Sequence, residues 1–255
     1  MSRLKPCAFT HQSLRDHSRG SSKIATQYCG PNYLQTSVRR LRTAGYCIIE
    51  DDLRKGIILA TLLHDFGKAL PRYQSQFDNK CNCICDTAPA FYLHELFSVA
   101  IARRVCRGLR LDDKLTFLIT VAVLQHLHSM RSLGNSLSLG NLPNLLARFN
   151  AQDLALSAYK TELCAMFDEA ASSLSLEMAA VPSWFEDIRK QEVVDTVKNI
   201  VMQSRLQNCK WTKLYVLVLN PVIIGDNLDS AGRISQESTN RRSFTMELEA
   251  TLEDG

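Results

Sequence analysis

Apolar residues recur at i, i+3, i+4 and i+7 through almost the whole chain, and stretches of period two are few. That spacing gathers apolar side chains on one stripe of an α-helix, so the chain can bury them only by packing helix on helix. Leu14, His17, Ser21, Ile24 and Tyr28 mark one stripe; Leu115, Leu118, Ile119, Ala122 and His126 mark another. The pattern predicts helices over residues 12–29, 33–43, 51–69, 91–109, 112–125, 151–172 and 183–205. Residues 214–219 could form a strand. Asn220-Pro221 then reads as an N-cap and N1 pair that opens a last helix over 222–234. Residues 134–143 form a loop rich in Gly, Asn and Ser, and 235–255 a polar tail. With no internal repeat and no linker, the expectation is one all-α domain over 1–234.

At 255 residues, 45% hydrophobic and 22% charged, the chain has the length and composition for a sizeable core, which argues against general disorder. The apolar runs 56–63 and 115–124 are too short to span a bilayer, so no membrane association is expected. The first twelve residues lack the apolar stretch of a signal peptide, and the expected compartment is the cytoplasm. A net charge of +4 permits a nucleic-acid partner without demanding one. Nine cysteines without a secretion signal do not read as a disulfide framework. Cys81, Cys83 and Cys85 lack the C-x-x-C spacing and the nearby fourth ligand of a zinc knuckle. Free thiols or a loop disulfide are the better reading, and a disulfide would hint at a hyperthermophile.

The six histidines carry the chemistry. His64-Asp65-Phe66-Gly67-Lys68 ends the apolar segment containing Ile57, Ile58, Leu62 and Leu63. On a regular helix His64, Asp65 and Lys68 share an arc of about 100°, and Gly67 lets a ligand or second helix come close. A His and an Asp leaving an apolar helix are costly unless both are satisfied, either by a divalent cation or by a buried pair with a salt bridge to Lys68. His17, His94 and His126 also lie on inward-pointing stripes, which shifts the balance toward a cation; His11 has no such context and reads as surface. His126 and His128 are about 200° apart on a helix. Either the helix ends at His126 and the chain turns, or only one of the two is a ligand. Asp226 and Ser230 form an i, i+4 pair, while Asp229 points partly elsewhere.

This ordered set resembles the HD superfamily of metal phosphohydrolases, named for the doublet seen here as His64-Asp65, and most closely the stand-alone HD nuclease of CRISPR type I interference. The matching pieces run from His17 through His64-Asp65-x-x-Lys68, His94-Glu95 with Ser98, and His126 to Asp226 with Ser230. The resemblance implies an HD-domain helical bundle in which 135–210 is the family-variable part. It implies two divalent transition-metal ions (Mn, Ni, Co, Fe or Zn rather than Mg), one held by His17, His64, Asp65 and Asp226. The second would be held by Asp65, His94, His126 and, where the chain turns after His126, His128, with Asp65 bridging. Lys68 and Ser230 would contact the scissile phosphate or the nucleophile. The family carries two adjacent histidines where this chain has His126-Leu127-His128.

The implied activity is metal-dependent hydrolysis of phosphodiester bonds in single-stranded DNA, with RNA as an alternative strand. Imidazole-rich sites suit transition metals, and paired cations activate water while neutralising a phosphoryl group. No G-x-x-x-x-G-K-[ST] motif occurs, so unwinding would come from a separate helicase working with a guide-RNA surveillance complex. Arg103, Arg104, Arg107 and Arg110 either track a nucleic-acid backbone or form a solvated helix face. The alternatives are an HD phosphohydrolase acting on a nucleotide or signalling phosphoester, and a non-catalytic helical scaffold.

Overall fold

The computed structural model describes residues 5–127, 140–173, 183–206 and 212–234. The chain opens with a short antiparallel hairpin, β1 (Cys7–Phe9) and β2 (Gln12–Ser13), and continues into α1 (Leu14–Tyr28), α2 (Pro31–Thr43) and α3 (Glu50–Leu63). A 3₁₀ turn (Phe66–Ala69) and the short α4 (Pro71–Gln74) lead to α5 (His94–Gly108) and α6 (Asp113–Gln125). The remaining helices are α7 (Leu142–Leu146), α8 (Lys160–Ser173), α9 (Lys190–Leu206) and α10 (Val216–Ile234). The expected all-α fold is present, with the hairpin as its one sheet among the described residues.

The most apolar segments form the centre. From Phe117 to Gln125 every residue of α6 is buried, and α3 is buried from Leu59 to Leu63. A helix that is apolar around most of its circumference must be covered on several sides. α3 accordingly packs against α1, α6 and α10, while α5 packs against α6, α9 and the 3₁₀ turn. Helix starts follow local chemistry. The Ser13 side chain accepts from the Asp16 N–H at α1, Asp112 accepts from the Lys114 and Leu115 N–H groups at α6, and three acids open α3.

Two contacts bring α1 and α10 close enough to share a site. A side chain at Gly20 would collide with the Asp229 carboxylate, and one at Gly225 with the backbone carbonyl of Ser21. The absence of a Cβ at both positions is what allows this approach.

Three stretches after residue 150 depart from the helical expectations. Residues 214–219 are no strand, and Asn220-Pro221 does not open a helix: α10 is continuous from Val216, with Pro221 inside it. Proline removes the N–H that would bond the carbonyl four residues earlier. That carbonyl belongs to Leu217, and the Tyr33 hydroxyl donates to it at 2.8 Å, so the helix survives. Residues 151–159 form two 3₁₀ turns, helped by reciprocal side-chain caps between Asn150 and Asp153. The segment before Lys190 is not helical, because Arg104 draws the carbonyls of Glu186 and Asp187 toward itself while Trp184 and Phe185 enter the core.

The hairpin is fastened by a disulfide between Cys7 and Cys81, with a Cα–Cα distance of 5.5 Å. Gln74 adds to it, accepting from the Cys7 N–H and donating to the carbonyls of Cys7 and Lys68. The cysteine run is therefore divided: Cys81 is bridged out of the run, and Cys83 and Cys85 are free thiols. Among the described residues no helix is long and apolar enough to cross a membrane.

Candidate metal centre

The expected helix over 51–69 ends at Leu63, with His64 at its C-cap and Asp65 already outside helical geometry. This break, rather than a shared helical face, turns Asp65 into the centre of the molecule. Gly67 permits it, since a side chain there would strike the backbone of His94 and Ser98. The Gly67 N–H instead donates to the Ser98 hydroxyl at 2.8 Å, locking the turn onto α5.

Three imidazoles are held in the same local way. The Nδ1 atoms of His64, His94 and His126 lie 2.6, 2.6 and 2.7 Å from the carbonyls of Thr61, Phe91 and Val123, each three residues earlier. A carbonyl only accepts, so each Nδ1 is the protonated nitrogen and each Nε2 carries a lone pair. His126 ends α6 at its C-cap, as one reading of the His126-Leu127-His128 spacing required. His17 is held over a long range instead: its Nδ1 donates to Asp229 Oδ2 at 2.8 Å, and Gln12 Nε2 donates to the same oxygen at 2.7 Å.

All four Nε2 atoms are buried without a hydrogen-bond partner, and all face carboxylates. Asp65 Oδ2 lies 3.2 Å from His17 Nε2 and 3.6 Å from His64 Nε2, with Asp226 Oδ1 at 3.3 and 3.7 Å from the same nitrogens. Asp65 Oδ1 faces the other way, 2.9 Å from His94 Nε2 and 3.6 Å from His126 Nε2. Lone pairs turned toward carboxylate oxygens are mutually unfavourable unless a cation lies between them. Two groups could each hold a metal ion: His17, His64, Asp65 and Asp226, and Asp65, His94 and His126. Asp65 belongs to both, one oxygen to each. The donors, imidazole nitrogens with few carboxylates, suit divalent transition metals. His128 lies outside the described residues.

The charges agree with such a site. Burial opposes ionisation of Asp65, but Lys68 and the surrounding histidines hold its carboxyl well below the usual range. Asp226 is likewise pushed up by burial and held well below by His17 and His64. Burial lowers the His17 pKa, yet Asp226, Asp229 and Asp65 together raise it to about 10, so in the metal-free chain a proton partly plays the part of a cation.

Two expected residues are tied to the ligand carboxylates. Lys68 does not lie on a solvent-facing side; it is 4% exposed, 2.7 Å from Asp65 Oδ2 and over the rings of Phe9 and Phe91. The 3₁₀ turn folds it back beneath the hairpin. Ser230 donates to Asp226 Oδ1 at 3.4 Å. His11 is exposed, as expected. Asp229, expected to point partly elsewhere, is the partner of His17. The signal in sequence was its i+3 spacing from Asp226, which together with Gly225 places both carboxylates toward α1. In the arginine row, Arg104 is tied to Glu192 through two nitrogens, so it is a structural tether and not a backbone contact.

A helical bundle whose central doublet is a buried His-Asp pair, ringed by three further histidines, defines an HD-domain protein. No protein-family model matches the chain. It is 27% identical over 254 residues to the CRISPR-associated endonuclease Cas3-HD of Saccharolobus solfataricus, covering 99% of this chain and 98% of that protein. It is 26% identical over 119 residues to the Cas3-HD endonuclease of Pyrococcus furiosus, about 47% of each. The Cas3 HD domain protein of Methanocaldococcus jannaschii shares its fold, with a TM-score of 0.59 over 87% of this chain and all of the other, at 19% identity. Along almost its whole length the chain is thus similar to a CRISPR-associated HD endonuclease, and its fold is that of a Cas3 HD domain.

Proposed function

We propose that the chain hydrolyses phosphodiester bonds of single-stranded DNA in CRISPR type I interference, using two divalent metal ions. A separate helicase and a guide-RNA surveillance complex would deliver the strand. The observation that carries the metal assignment is the convergence of four buried, partnerless Nε2 atoms on the two faces of one carboxylate. In this reading His17, His64, Asp65 and Asp226 hold one ion, and Asp65, His94 and His126 the other, with His128 as a further ligand of the second. When bound, the pair supplies activation of water and neutralisation of charge on the phosphoryl group.

The chain's own residues do the positioning. The carbonyls of Thr61, Phe91 and Val123 fix three imidazole tautomers, and Asp229 fixes the fourth. Lys68 balances the charge of Asp65 from inside, and Ser230 donates to Asp226, the more exposed of the two ligand carboxylates. Residues 1–234 would act as one nuclease domain, working in the cytoplasm.

The test is digestion of circular single-stranded DNA, duplex DNA, RNA and a nucleotide panel with Mn, Ni, Co or Mg, alongside Asp65→Ala. Cutting of circular single strands that the variant lacks supports the proposal. Hydrolysis of nucleotides with intact DNA overturns the substrate in favour of a nucleotide phosphohydrolase, and inactivity on every substrate favours a scaffold.

A further inference from the structure

On the side of α1 away from the histidines, a groove of about 540 Å³ runs between α1, α3 and α8. Its floor is apolar, made by Ile58 and Leu62 of α3 and Met166 of α8. Its rim is cationic, with Arg15, Arg19, Lys23 and Arg54. The acids nearby do not balance these charges. Glu169 serves both Arg15 and Arg19, at 3.0 and 3.4 Å, and Glu162 bonds Arg15. Lys23 and Arg54 have no carboxylate partner among the described residues.

Two hydroxyls make the groove more than a basic surface. Ser18 lines it and is 1% exposed, and Ser22 lines it one turn further along. Neither Oγ has a hydrogen-bond partner. A buried hydroxyl left unpaired costs on the order of 1–3 kcal/mol, and rotation of either serine about χ1 toward the groove lets a polar ligand atom pair it. An apolar helix face laid into the groove would leave them unsatisfied.

We propose that this groove binds a nucleoside phosphate, free or as one unit of a single strand. The volume lies in the range of small-ligand sites. The apolar floor, with the polarisable Met166 sulfur, receives the flat face of a base. The Ser18 and Ser22 hydroxyls meet base or sugar edges, and Lys23 and Arg54, with the largely exposed Arg19, meet the phosphate. The groove and the metal centre share two helices, since Ser18 follows His17 on α1 and Leu62 lies two residues before His64 at the end of α3. The binding proposed here requires no metal and is independent of strand cleavage.

The test is calorimetry on the full chain in EDTA at low salt, with dAMP, a six-residue oligothymidylate, inorganic phosphate and an acidic amphipathic peptide as probes. Binding of dAMP or the oligonucleotide should weaken at least tenfold in Lys23→Glu/Arg54→Glu and several-fold in Ser18→Ala. It should be unchanged in Arg107→Glu, on the α5 face, with thermal melts verifying that each variant folds. Groove-dependent binding of dAMP identifies a free nucleotide as sufficient, and binding of the oligonucleotide alone identifies a strand as the source; either upholds the site. The inference is overturned if neither nucleotide probe binds, if Arg107→Glu weakens binding as much as the groove variants, or if only phosphate or the peptide binds. Loss of nuclease activity in the metal assay, with nucleotide binding intact, would overturn the proposed reaction and leave the groove site standing.

Discussion

The two sides of Asp65 are built by different means. On the Oδ1 side, His94 and His126 are set by carbonyls of the preceding turn, so each imidazole is oriented by its own local backbone. On the Oδ2 side, His64 is set in the same way, but His17 depends on Asp229, 212 residues away, which in turn leans on Gln12. The first side is therefore robust to side-chain changes around it. The second requires α1 and α10 to meet at a fixed distance, and that distance depends on two glycines.

The comparison can be broken at its shared centre. Asp65→Asn removes one charge from both sides, and nuclease activity should fall by about three orders of magnitude or more, read as initial rates on single-stranded DNA. Histidine variants should then separate the sides. His17→Ala and His126→Ala should each reduce the tightly bound metal, measured by elemental analysis after dialysis, by about one ion per chain. If either variant loses both ions, the sides are not independent.

A finer test leaves every ligand in place. Asp229→Asn should weaken metal binding at the His17 side by about 10–100-fold, with the other ion retained, because it takes the orienting carboxylate from one imidazole. Equal weakening of both ions would show that Asp229 acts on the fold and not on His17. Gly20→Ala probes the helix approach behind that contact. It should destabilise the chain by about 1–3 kcal/mol in denaturant unfolding, since the new methyl displaces the Asp229 carboxylate. The smallest effect is expected for Tyr33→Phe, which leaves the Leu217 carbonyl without its donor above Pro221 and should cost about 1 kcal/mol in the same measurement.

The same division explains what could be read from sequence. The helices, the central doublet and the inward-facing histidines were legible from periodicity and motif, and His17, His64, Asp65, His94, His126 and Asp226 converge in two groups that could each hold a metal ion. The helix break after Leu63 was not legible, since apolar spacing continues through Phe66 and Ala69. Pro221 misled for a related reason: its missing hydrogen bond is replaced by a tyrosine from a distant helix, a contact that no local pattern announces. The cover over Lys68 was not legible either, because nothing in a helical projection shows the hairpin that lies across it. The i+3 spacing puts Asp229 on the same side of α10 as Asp226, but its pairing with His17 follows only from the α1–α10 distance.

The bond between Cys7 and Cys81 closes a covalent ring 74 residues around, and that ring has a bearing on assembly. It contains His17, His64 and Asp65, while His94, His126 and Asp226 lie outside it. In the chain-entropy description, closing a loop of this length removes about 4 kcal/mol of freedom from the unfolded chain. That restriction lowers the chain entropy still to be lost when α1 is brought beside the His-Asp doublet. With the bridge in place, only the ligands of α5, α6 and α10 still have to find an enclosure whose other members are already tethered.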